Sequence, residues 1–229
     1  QLGCPGHSRR WSVAFAEHSF GLLVMPLSIF AIDLDGDEDV DVLSVSAASD
    51  SIVWYENDQG SFSSEPNVIA TSADNVISIY AIDVDGDGDV DVYSASRDDD
   101  TVAVYQYIEE LGWFFKDVIT TLADFVCSVF AVDVDGDGDV DVLSASYGDD
   151  TVAWYENDVD EDGTVQFARR VVTDSASGAA SVFAIDVDGD GDVDVVSASY
   201  EGDTVAWHEN DGEESFTELV ITELAPGAT

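Results

Sequence analysis

Apolar residues along this chain gather in short runs of about five to seven, separated by clusters of Asp, Gly, Asn and Ser. The runs are rich in Val, Ile, Phe, Tyr and Trp. Such side chains suit a pleated surface, whereas Asp, Asn and Gly favour tight turns, so the pattern predicts β-strands joined by turns. No segment sustains a 3.6-residue apolar period over the length of a helix. Some runs, such as "SVFAVD", are apolar at nearly every position. That is expected of a strand whose sheet is stacked between two others.

The runs recur. Four segments align without gaps: "LSIFAIDLDGDEDVDVLSVS" (27–46), "ISIYAIDVDGDGDVDVYSAS" (77–96), "CSVFAVDVDGDGDVDVLSAS" (127–146) and "ASVFAIDVDGDGDVDVVSAS" (180–199). Each continues into a second signature, "DSIVWYEND", "DTVAVYQYI", "DTVAWYEND" or "DTVAWHEND", and then a third, ending "NVIAT", "DVITT", "RVVTD" or "LVITE". Four strands in a unit of about 50 residues is the footprint of a propeller blade, whose faces stay uncovered until neighbours stack on them. The expected fold is therefore all-β, a β-propeller of four-stranded antiparallel blades. Residues 27–229 form the propeller, with repeats at about 27–76, 77–126, 127–179 and 180–229. Residues 1–26 are an N-terminal segment whose "WSVAFAEHSF" (11–20) reads as a degenerate strand able to pair with a terminal blade. A closed four-bladed ring is the favoured arrangement, with an arc of a larger propeller as the alternative.

Charge narrows the partners. Fifty acidic residues face six basic ones, for a formal charge of −44. Nucleic acid, anionic membrane and acidic polysaccharide would all be repelled, and cations attracted. Strongly acidic chains are often disordered, but 45% hydrophobic and 10% aromatic content supplies a core. The longest apolar candidate for a membrane span, "FGLLVMPL" (20–27), is far short of the roughly 18 residues required, so no membrane insertion is expected. The chain begins at Gln1 without signal-like regions and reads as a mature or excised segment. Cys4 and Cys127 could form one bridge; Cys127 takes a position that is apolar in the other copies, which favours a buried free thiol.

The acidic loop carries the candidate chemistry. In "DVDGDGDVD" every odd position is a carboxylate, and position 6 is glycine in three copies of four. Carboxylates crowded this closely repel one another unless a cation sits among them, and the chain has few of its own. A hard divalent cation wants oxygen ligands from positions 1, 3 and 5, a sharp turn, a main-chain carbonyl at 7 and a further carboxylate. An EF-hand does not fit: its position-12 acid would fall on Ser44, Ser94, Ser144 and Ser197, and helices would flank the loop. A plain solvated hairpin is the bland alternative, but turn chemistry requires neither the register nor four repetitions. Calcium suits a cage of flexible carboxylates better than magnesium does.

The pattern D-x-D-x-D-G-x-x-D followed by an apolar strand resembles the FG-GAP/VCBS-type calcium-binding propeller repeats, related to the blades of the integrin alpha-subunit head. The resemblance covers about residues 27–222 and implies about four calcium ions, one per repeat. It implies as side-chain ligands Asp33, Asp35, Asp37 and Asp41; Asp83, Asp85, Asp87 and Asp91; Asp133, Asp135, Asp137 and Asp141; and Asp186, Asp188, Asp190 and Asp194. The carbonyls of Asp39, Asp89, Asp139 and Asp192 would complete each set. Glu38 stands where the other copies have Gly88, Gly138 and Gly191; if that position needs positive φ, the first site is strained.

Other chemistry finds less footing. Trp54, Trp154 and Trp207 recur regularly, which favours packing between blades over stacking on sugars. Asn57, Asn157 and Asn210 adjoin Asp in a turn and are expected to shape it. His7 and His18 are unrepeated, His208 replaces a Tyr, and no G-x-S-x-G, H-E-x-x-H or phosphate-cradling motif occurs. The expectation is a non-enzymatic, extracellular calcium-binding module with a structural or protein-interaction role. The alternatives are a lectin-like propeller and the accessory propeller of a larger enzyme. A protein partner or self-assembly is expected, and a glycan is possible.

Overall fold

The computed structural model describes residues 25–108, 111–159 and 165–223, and every regular element among them is a strand. The first repeat contains β1 (Pro26–Ile32), β2 (Asp41–Ser46), β3 (Ser51–Tyr55) and β6 (Asn67–Ala70), with β4 (Asn57–Asp58) and β5 (Ser61–Phe62) forming a small hairpin between them. The second holds β7 (Val76–Ile82), β8 (Asp91–Ser96), β9 (Thr101–Ile108) and β10 (Trp113–Thr120). β11 (Val126–Val132), β12 (Asp141–Ser146), β13 (Thr151–Val159) and β14 (Val165–Thr173) make the third. The fourth consists of β15 (Ala179–Ile185), β16 (Asp194–Ser199), β17 (Thr204–Asn210) and β18 (Phe216–Glu223). Each repeat is one antiparallel four-stranded sheet with its strands in chain order, as a blade requires.

Register repeats as faithfully as sequence. In every blade the first strand enters through a bulge, at Pro26/Ser28, Val76/Ser78, Val126/Ser128 and Ala179/Ser181. A bulge at one fixed place increases local twist, so the first strands leave their linkers alike. The linkers are tied to the preceding blade through the turn between its second and third strands. Asp50, Asp100 and Asp150 hold left-handed φ values of 51°, 56° and 57°, a conformation short Asp side chains tolerate. Their carboxylates accept the N–H of Asn75, Phe125 and Gly178 at 3.0, 2.9 and 2.7 Å.

Three apolar clusters lie between successive sheets. Leu34, Leu43, Val45 and Ile52 of the first meet Val76, Ile79, Ala81 and Val92 of the second. Equivalent clusters join the second sheet to the third and the third to the fourth. An aromatic row, Phe30, Tyr80, Phe130 and Phe183, crosses all four first strands with centroid spacings of 4.8, 4.8 and 4.7 Å.

The favoured closed ring is corrected: the described residues form an arc. β8 and β12 are buried at every position, whereas β16 alternates, one side covered and the other partly open. Ile29 is 73% exposed although its equivalents Ile79, Val129 and Val182 are each 5% exposed. The tryptophans differ in burial: Trp154 is buried between the third and fourth blades, whereas Trp54, packed against the first cluster, and Trp207, on the last blade, are both half-buried. Cys127 is corrected too. It is a free thiol but only half-buried, because its strand position alternates with the buried Val126. Cys4, His7, His18 and the strand expected at 11–20 lie outside the described residues.

Candidate metal centres

Each acidic loop joins the first and second strands of its blade, at 33–40, 83–90, 133–140 and 186–193. The last aspartate of the motif opens the second strand and is fully buried: Asp41, Asp91, Asp141 and Asp194 are at most 2% exposed. One of its oxygens accepts the N–H of Leu34, Val84, Val134 or Val187 at 2.9 to 3.1 Å, near the start of the same loop. The other accepts the N–H of Asn57, just past the third strand of its blade, or of Tyr107, Asn157 or Asn210, within theirs, at 2.7 to 2.8 Å. This residue thus pins the loop to two strands while lying beside it.

The first aspartate shapes the turn. Asp83 accepts from the N–H groups of Gly86 and Gly88 at 2.8 and 3.0 Å, and Asp133 and Asp186 repeat the arrangement. Position 5 faces position 7: Asp37, Asp87, Asp137 and Asp190 accept the N–H of Asp39, Asp89, Asp139 and Asp192 at 2.8 to 3.0 Å. The recurring asparagines behave as expected. The side-chain amides of Asn57, Asn157 and Asn210 donate to the carbonyls of Val40, Val140 and Val193, closing the loop's far end.

Of the expected ligands, the structure gathers positions 1, 3 and 9. One oxygen each from Asp83, Asp85 and Asp91 lies within 4.8 Å of the others, as do those of Asp133, Asp135 and Asp141 and of Asp186, Asp188 and Asp194. In the first loop the group is Asp33, Asp35 and Asp37 instead, without Asp41. That loop also differs at the substituted position. Glu38 has φ 77°, where Gly88, Gly138 and Gly191 have 98°, 105° and 106°, so the positive φ expected there is real and Glu38 carries strain. The Asp37 N–H turns to Asp33 at 3.1 Å, whereas Asp87, Asp137 and Asp190 bond back to position 3.

Electrostatics agree with crowding. Burial pushes the Asp91 and Asp141 carboxyls up to about 7, with repulsion from Asp85 and Asp135 adding to it and two backbone N–H bonds in each case opposing it. Asp35, Asp85, Asp135 and Asp188 are raised by lost hydration and by neighbouring carboxylates. A buried carboxylate in this state is easiest to keep either protonated or beside a cation.

One feature escaped the motif, the Glu of "WYEND". Glu156 lies with Asp135 and Glu214 in a further acidic group, and Arg170 bridges Glu156 and Glu214. In the second blade Gln106 replaces that Glu and donates to Asp85 at 3.3 Å. Its recurrence in three of the four repeats, as Glu56, Glu156 and Glu209, was the available signal.

The FG-GAP-like repeat model matches four overlapping stretches, 33–94, 83–144, 133–197 and 186–229. No protein of curated function matches the sequence. Among solved structures, a Lactobacillus plantarum protein aligns at TM-score 0.58 and 17% identity, over 82% of this chain and 54% of its own. BBS1N, solved in complex with ARL6DN, aligns at 0.60 and 11% identity, over 93% and 61%. The V. cholerae biofilm matrix protein Bap1 aligns at 0.52 and 21%, over 85% and 28%. At these identities the likeness concerns fold, and the chain spans about half the length of the first.

Proposed function

The chain belongs to the FG-GAP-like repeat family, and from that membership we propose that it is a non-catalytic, extracellular module whose blades are rigidified by calcium and present a surface to protein partners. The observation that carries this reading is the buried aspartate at the base of each loop, repeated four times. Asp91, Asp141 and Asp194, with positions 1 and 3 of their loops, form convergent oxygen groups fit for a hard cation. Asp33, Asp35 and Asp37 would hold the ion in the first blade. A bound calcium ion supplies the positive charge that six basic residues cannot. The chain's own contribution is to aim the carboxylates: glycine N–H groups orient position 1, and two strands hold position 9.

Extracellular placement rests on the affinity such loops usually have, which fills them where calcium approaches millimolar levels. The interaction role rests on family and fold, BBS1N being one propeller-like chain solved with a protein partner. The test is thermal unfolding of the calcium-loaded and chelated chain, alongside calorimetric titration with calcium. The reading expects about four binding events and a higher melting temperature when loaded; identical melting curves would remove the metal from the account.

A glycan-binding reading has one observation in its favour. Trp113, 62% exposed, and Trp54 line a groove of about 480 Å³ between the first two blades, with Asn67 and Tyr107 as polar walls. A glycan array repeated with Trp113→Ala tests it, a Trp113-dependent signal being the positive result.

A further inference from the structure

The two ends of the arc expose complementary parts of one interface. At each internal junction the forward side of one blade, carrying the aromatic row and Leu34, Val84 or Val134, meets the rear side of the next, carrying Ile79, Val129 or Val182. On the fourth blade the forward side is open. Phe183, Ile185 and Val187 are 50, 52 and 46% exposed, whereas Leu34, Val84 and Val134 are 7, 3 and 3% exposed. On the first blade the rear of the first strand is open at Ile29 and Ala31. Farther out on that side Val42 is half-buried and Val53 and Tyr55 are buried, so the opening is centred on β1.

Polar groups at both ends match as well. Ser78 accepts the Val129 N–H at 3.2 Å and Ser128 accepts that of Val182 at 3.4 Å, bonds from one first strand to the next. Ser181 on the fourth blade and Ile29 on the first hold the matching sequence positions. Asp203 and Met25 hold left-handed φ values of 49° and 56°, the conformations of the Asp50–Asn75 and Asp100–Phe125 pairs that lock consecutive blades.

We propose that the chain associates head to tail with a second copy, β15 of one against β1 of the other, reproducing the contact between successive first strands. A contact of this kind uses two different patches, so each copy retains one of each after pairing. Like-charged copies repel, but that repulsion is screened beyond about 8 Å at physiological salt, whereas contact between apolar strands acts at closer range. The proposal deepens the reading as an interaction module and rests on its blade packing instead of its metal, so mass and melting measurements can fail separately.

The experiment is the solution mass of the full chain in calcium and physiological salt across a concentration series. The expected wild-type result is a rise from 24.5 kDa to at least twice that value. Ile29→Asp and Ile185→Asp, both at exposed positions, should each remain at single-chain mass with an unchanged melting temperature. An equimolar mixture should regain the dimer, because the first variant keeps an intact forward side and the second an intact rear side. A wild-type chain that stays single at every concentration overturns the proposal. A mixture that fails to pair overturns the head-to-tail geometry.

Discussion

Asp141→Asn separates the two roles of the buried aspartate. The wild-type carboxylate accepts the N–H of Val134 at 2.9 Å and that of Asn157 at 2.7 Å. Asparagine offers one acceptor and one donor, so one buried N–H meets another donor, at a cost of about 1–3 kcal/mol. Against this, the substitution removes a buried charge. Raising a carboxyl from 3.8 to about 7 corresponds to at most about 4 kcal/mol of unfavourable burial at neutral pH. Without calcium the two effects oppose each other, and the net change should be within about 3 kcal/mol of zero. With calcium at about 100 times the site's dissociation constant, the variant forgoes about 2.7 kcal/mol that one filled site contributes. At about 2–4 °C per kcal/mol for a domain of this size, its calcium-induced rise in melting temperature should fall short of wild type by about 5–11 °C. The control is Asp150→Ala, which deletes the acceptor of the Gly178 N–H and should lower both melting temperatures equally. Equal calcium-induced rises in wild type and Asp141→Asn would refute the argument, leaving Asp141 as a hydrogen-bonding anchor alone.

Four further outcomes follow from particular residues. Glu38→Gly relieves a left-handed residue worth about 1–2 kcal/mol, partly offset by glycine's greater unfolded freedom, so the chelated protein should melt about 1–4 °C higher. Gly138→Glu should lower it, although a Cβ there meets nothing within 4 Å, because the penalty lies in the backbone. Burial lowers the pKa of His208, whose Nε2 pairs with Ser197 at 2.9 Å and whose buried Nδ1 has no partner. The unfolded chain therefore binds more protons below about pH 6.5, and stability contributed by neutral His208 is lost as pH falls through that value. Melting of His208→Tyr, which restores the tyrosine seen as Tyr155, should show a smaller drop from pH 7 to 5 than wild type; equal drops would exclude His208 as a source. Denaturant midpoints should fall by an equivalent of about 3–5 kcal/mol for Trp154→Ala but clearly less for Trp207→Ala, since only the former opens a cavity between two blades.

The acidic loops were largely legible because their geometry is local. Positions 1, 4 and 6 of the motif form their turn within nine residues, and the need for positive φ at Glu38 could be read from glycine in the other copies. The double anchoring of position 9 was not legible. It depends on an N–H 16 residues downstream, at Asn57, Tyr107, Asn157 or Asn210, and a backbone donor leaves no trace in residue type: Tyr107 serves as well as asparagine. The part played by Arg170, which links Glu156 of one blade to Glu214 of the next, was hidden because the pairing depends on how two blades stack.

Ile29 and Ile79 mark where local information ends. Both follow the same serine, pair with the matching serine of the second strand, and belong to repeats that align without a gap, so the chain's pattern makes each a strand residue facing a neighbouring blade. One is 73% exposed and the other 5%, because burial depends on whether a preceding blade is present, and near-identical repeats carry no mark of their place in the series. Strand, turn and loop are set by interactions over a few residues; arc or ring is set by how the twist of each stacked blade accumulates over the whole assembly.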